Sequence, residues 1–131
     1  MKKNIILDKS YLFSIRIVKM FQYLIKNGVE RALLVQILRS GTSIGANIEE
    51  AMGASSARDF VNKLSISYKE VRETKYWLRL LKDTQLLEPA QATLLLADCN
   101  ELLRIIGSIQ KTIKNKGKRA ETPIESPSKS A

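Results

Sequence analysis

The sequence predicts an all-α protein, an antiparallel up-down-up-down four-helix bundle followed by a disordered basic C-terminal tail. Three observations predict it. Apolar residues recur in steps of three and four over four separate segments. Strand-like alternation is absent. The first proline is Pro89, so nothing interrupts helix over the first two thirds of the chain. With 131 residues the chain can bury one core without staples such as disulfides. One domain is expected over residues 10–114, with an N-terminal extension at 1–9 and the tail at 115–131.

The first helix is expected from Ser10 to Lys26, capped by Asp8 or Ser10 and stopped by Asn27-Gly28. Phe13, Ile17, Met20 and Leu24 draw its apolar stripe. The second is expected over Val29 to Met52, with Leu34, Leu38, Gly41, Ile44 or Gly45, Ile48 and Met52 on one face. The third follows Ser56, where Ser56-x-x-Asp59 resembles a capping box, and runs to Lys82. Phe60, Leu64, Ser67, Val71, Thr74, Leu78 and Leu81 alternate steps of four and three, a coiled-coil-like seam. The fourth starts at Pro89, which suits a first helical turn. Its stripe is Leu95, Cys99, Leu102, Ile106, Ile109 and Ile113. Short connections imply antiparallel neighbours. From Asn115 the chain turns rich in Lys, Ser, Pro and Glu, too poor in apolar groups to offset the entropy of ordering.

Composition excludes most chemistry. Histidine is absent and cysteine occurs once, as Cys99. That rules out Ser-His and Cys-His nucleophiles, His-ligated metals and an intramolecular disulfide. Cys99 sits inside an apolar helical pattern and reads as a core thiol. No phosphate loop or dinucleotide fingerprint appears, and the glutamates of the second and third helices lack the histidines that accompany them in di-iron bundles. No catalytic residue, metal site or cofactor is expected. No apolar run approaches the ~18 residues of a membrane span. The basic-then-apolar start, Met1 to Leu7, is cut short by Asp8 and Lys9, too early for a signal peptide. A cytoplasmic protein is expected.

Lysine plus arginine number 22 against 13 acidic residues, a net charge of +9, which suits a polyanionic partner. Two basic stripes carry that idea. On the third helix Tyr68, Arg72, Lys75, Arg79 and Lys82 share one flank. On the first, Arg16, Lys19, Tyr23 and Lys26 do the same. Cations meet phosphates and tyrosine rings stack on bases, a mixture suited to single-stranded RNA. A merely solvated helix face would carry charges too, and Trp77, on the other flank, reads as packing or a subunit contact.

The stretch Arg39-Ser-Gly-Thr-Ser-Ile-Gly-Ala-Asn-Ile-Glu-Glu-Ala51 is the most unusual. Gly41 and Gly45 lie one turn apart, each costing about 1 kcal/mol relative to alanine, so another element is expected to approach closely there. Ser43, Asn47 and Glu50 form a polar strip, expected to hydrogen-bond to Lys69 or Glu73 of a facing helix, or to line a ligand site.

This stretch resembles the signature of the four-helix-bundle proteins encoded in intervening sequences of bacterial 23S ribosomal RNA genes. The run Asp59-Phe60-Val61-Asn62-Lys63-Leu64, through Ser67-Tyr68-Lys69-Glu70 to Trp77-Leu78, is similar to the same family's third helix. The likeness extends over about residues 10–112, and Gly41 stands where the family pattern has alanine. The resemblance implies a homo-oligomeric ring, a pentamer. It also implies kinship with accessory proteins of diversity-generating retroelements, which work beside a reverse transcriptase with RNA. RNA, or an RNA-handling protein, is therefore the expected partner. A structural or protein-interaction module without nucleic-acid binding is the alternative.

Overall fold

A computed structural model describes residues 4–121, with side chains as far as residue 117. It holds four helices and, among the described residues, no strand: α1 (Ile5–Lys26), α2 (Arg31–Met52), α3 (Ala57–Asp83) and α4 (Pro89–Glu121). Each packs on the next in sequence, and α4 closes back on α1 more loosely. The helices α1 and α3 are diagonal, and their backbones do not approach one another.

The pairings run in opposite directions. Asn4 reaches Met52 while Ile17 lies against Gly41, between α1 and α2. Glu50 pairs with Lys63 while Ser40 bonds Thr74, between α2 and α3. Ser65 bonds Gln110 and Tyr68 lies over Gly107, between α3 and α4. Rising numbers on one helix meet falling numbers on its neighbour throughout.

Local chemistry explains the helix ends. The first helix starts at Ile5, five residues before the expected Ser10, because Asn4 is its cap and accepts from the Leu7 amide at 3.1 Å. Ser10, expected as a cap, is instead fully buried inside the helix. Gly28 adopts φ +83°, and the Gly28 and Val29 amides donate to the carbonyls of Ile25 and Leu24, the paired closure that a left-handed residue permits. The same closure ends α3, with Gln85 at φ 64° and the Leu86 amide on the Leu81 carbonyl at 2.9 Å. Ser56 caps α3 through the Asp59 amide at 3.0 Å.

The core is the set of stripes read from the sequence, with corrections. Phe13, Ile17, Met20, Leu24, Leu64, Val71, Leu78, Leu81, Leu95, Cys99, Leu102 and Ile106 are all buried. On α2 the buried face also takes in Ile37, Ser40 and Ala51, whereas Leu38 is half-buried and Met52 exposed. The helix α4 continues through Asn115 to Glu121, where a disordered tail was expected, because its stripe stays in register through the half-buried Ile109 and Ile113. The rest of the expected tail, 122–131, and the first residues, 1–3, lie outside the described residues.

Candidate nucleic-acid interface

Helix α3 sorts its charges by flank. With Leu64, Val71 and Leu78 pointing into the core, Glu70 and Glu73 fall on the side of α2, and Arg72, Lys75 and Arg79 on the side of α4, since i±3 and i±4 positions share a face. The acidic flank is occupied. Arg39 of α2 pairs with both Glu70 and Glu73, and the Trp77 indole donates to Glu73 at 3.0 Å. Hydrogen bonds from Arg39 and Trp77 hold the Glu73 carboxyl below its ordinary pKa.

The basic flank is not neutralised. Arg72, Lys75 and Arg79 line one hollow of about 270 Å³ with Tyr76 and Leu103, and no carboxylate lines it. None of the three makes an ion pair among the described residues. Lys82, the last member of the stripe, lies at the end of the bundle, lining a second hollow with Tyr23, Gln85 and Gln91. Tyr68 is half-buried with its ring edge 3.8 Å from where a Gly107 Cβ would stand. It packs on α4, and Tyr76, 54% exposed, is the open ring on this face.

The stripe on α1 differs. Arg16 pairs with Asp98 of α4 at 2.8 Å, and two turns earlier on α1 Lys9 pairs with Glu101 at 3.2 Å. Lys19 shares a hollow with Arg16 and Asp98, while Tyr23 and Lys26 are exposed. Because α1 and α3 are diagonal, the two stripes flank α4 on opposite sides and approach only at the end of the bundle, where Tyr23 and Lys82 line one hollow. They are two surfaces.

Sequence reasoning missed the share of α4. Leu103, Gly107, Gln110 and Lys114 step by four, three and four along the side facing α3, and exposed Arg104 and Lys111 lie just outside them. The signal was the Arg104–Lys111–Lys114 spacing of seven and three, invisible as a site until α3 and α4 are known to be neighbours.

The glycine stretch is structural. A Cβ on Gly41 would stand 2.9 Å from both γ carbons of Ile17, and one on Gly45 3.2 Å from the Ser10 carbonyl oxygen and the Ser14 hydroxyl. The two glycines are the notch into which α1 docks. Ser43, Asn47 and Glu50 do not form the expected network with Lys69 or Glu73. Asn47 donates to the Ser43 carbonyl at 2.8 Å within α2, and Glu50 pairs with Lys63 at 2.9 Å. The buried bonds across α2 and α3 come from Ser67, which donates to the Ile44 carbonyl at 3.0 Å, and Thr74, which donates to the Ser40 hydroxyl at 2.9 Å. Ser40, Ser67 and Thr74 lie on the flanks that face each other, and Ser43 and Asn47 lie just beyond.

Cys99 is buried and its thiol is pushed up to about 12, first by desolvation and then by Asp98, so it is not a thiolate at neutral pH. Among the described residues no three potential metal-ligating side chains converge, and no helix is long and apolar enough to cross a membrane.

Residues 2–108 match the family model described as 23S rRNA-intervening sequence protein. A crystal structure of a protein of unknown function from the S23 ribosomal protein family of Bacteroides thetaiotaomicron is 45% identical, with a TM-score of 0.79, covering 81% of this chain and 98% of that one. No curated protein matches the sequence.

Proposed function

This chain belongs to the 23S rRNA-intervening sequence protein family, and from that premise we propose that it is a non-enzymatic bundle that binds RNA through the face formed by α3 and α4. One observation carries the reading: Arg72, Lys75 and Arg79 converge on one hollow without a carboxylate, while the acids of the neighbouring flanks are committed to Arg39, Arg16 and Lys9. Cations left unpaired beside paired ones are what a polyanion needs, because it then displaces only small counterions. The α1 stripe is secondary, since Arg16 already has a partner. A lone buried thiol and an RNA ligand suit the cytoplasm.

The test is RNA binding across salt concentrations with the triple variant Arg72→Ala, Lys75→Ala, Arg79→Ala. Each phosphate contact on a single strand contributes about 0.7 to the slope of log K against log salt, so the variant is expected to bind more weakly and to flatten the slope by roughly 2. A variant with unchanged affinity and slope refutes the assignment.

A second reading, self-association, is favoured by the opposite face. Tyr11, Ile15 and Val18 of α1 and Val35 of α2 are exposed, and with Thr42 and Ala46 they make a surface uncharged at its centre. A surface of that kind buries against a second copy without desolvating ions. The two readings concern opposite faces and are compatible.

A further inference from the structure

Phosphate binding leaves one member of the α3–α4 hollow unused. Tyr76 sits between Arg72, one turn before it, and Arg79, one turn after, with Lys75 beside it and Leu103 of α4 also lining the hollow. The residue is more than half exposed, yet its ring is not free to wander. It meets the Trp77 ring at a centroid distance of 5.0 Å and an interplanar angle of 73°. The Trp77 indole is fixed in turn by its hydrogen bond to Glu73, and Glu73 by Arg39. The ring is thus braced from the α2 side while a large part of its surface stays open among three cations. A solvated helix face has no use for such a brace. A ring that must present a flat surface to a ligand does.

We infer that the hollow is a site for an unpaired nucleotide, with the base stacked on Tyr76 and the phosphates on either side of it held by Arg72, Lys75 and Arg79. The inference rests on the RNA-binding reading and sharpens it to single-stranded RNA. In a duplex the base faces are already covered by their neighbours, so a side chain has no ring to stack on. Base–aromatic stacking is tolerant of sequence, so the site selects strandedness rather than a particular base.

Trp77 makes the test direct, because it is the chain's one tryptophan and touches the proposed platform. The protein is titrated with a single-stranded oligoribonucleotide, with the same strand annealed to its complement, and with a single strand of equal length lacking bases. Binding is followed by anisotropy of the labelled RNA and by Trp77 emission. The parent is expected to bind the single strand most tightly, with a change in Trp77 emission. Tyr76→Ala is expected to lose about tenfold in affinity for the single strand, with duplex affinity and salt slope unchanged and its circular dichroism that of the parent. Tyr76→Phe keeps the ring and retains binding. If Tyr76→Ala binds the single strand like the parent, or the parent binds duplex and baseless strand equally well, the stacking site is wrong, and RNA binding through the cations stands or falls on the triple variant. If the parent binds none of the three at low salt, the RNA-binding reading fails with it.

Discussion

Gly41 shows how one missing methyl group sets the distance between two helices. Its neighbour Ile17 is fully buried and β-branched, so its γ carbons cannot rotate aside at small cost. Gly41→Ala gains about 1 kcal/mol of helix propensity but forces overpacking worth roughly 1–3 kcal/mol. Net destabilisation of about 1 kcal/mol is expected in urea unfolding. Combined with Ile17→Ala, which removes the opposing atoms, the two changes should cost less than their sum; strict additivity would mean that the contact is not the cause. Gln85 presents the reverse case, a residue with a Cβ in the left-handed conformation, which costs roughly 1–2 kcal/mol. Gln85→Gly removes that strain, loses part of the gain to unfolded-chain entropy, and is expected to raise stability by up to about 1 kcal/mol, read as a higher urea midpoint. At this scale the sequence announced that Gly41 and Gly45 were unusual. It could not say that Ile17 and Ser10 fill the notch, because those partners lie a whole helix away. Nor could it mark Gln85, whose conformation is imposed by the closure of α3.

Among the elements, α3 was the most legible. Its alternating steps of four and three placed even the polar Ser67 and Thr74 correctly on the buried seam, because a helix held against neighbours along its whole length has one inward face whatever residues occupy it. The other helices were less complete for physical reasons. The early turn of α1 was hidden because Asp8 and Ser10 both look like caps, and the true cap is Asn4. On α2, apolar residues occupy adjoining faces, and the α1 notch together with the Ser40–Thr74 bond decides between them. The flanking charges of α3 make a prediction of their own. Glu73 titrates below its ordinary value because of Arg39 and Trp77. Its unfolded form therefore takes up protons first as pH falls. The stability it confers is fully present above the ordinary carboxylate range and is lost as pH drops through that range and then through the lowered value. Glu73→Gln, which keeps an acceptor for the indole, should flatten the acid limb of a stability–pH profile while changing little at higher pH beyond a constant offset. An acid limb as steep as the parent's would show that the pair is not responsible.

As a whole the molecule has two unlike sides. Cations of α3 and α4 occupy one, and the uncharged row of α1 with its neighbours on α2 the other. Periodicity revealed the stripes one helix at a time, but which stripes share a surface depends on the order of helices around the bundle. That order made α4 the partner of the α3 stripe and set the α1 stripe apart. If the uncharged side joins copies, Ile15→Glu should lower the native mass measured by light scattering while leaving RNA affinity per chain within a few-fold. A parent of monomer mass would remove the self-association reading and leave the RNA reading untouched.

The length of α4 has a mechanical corollary. The Lys9–Glu101 pair leaves α1 only about one more turn before its start at Ile5, whereas α4 runs on for more than five turns to Glu121, so its last turns project past α1. Ile109 and Ile113 are accordingly only half covered. Lys111 and Lys114 ride on this cantilever, where their mutual repulsion works against the last turns of the helix. If the RNA reading holds, a bound phosphate strand would cancel that repulsion, so that gripping the ligand and stiffening the beam become a single event.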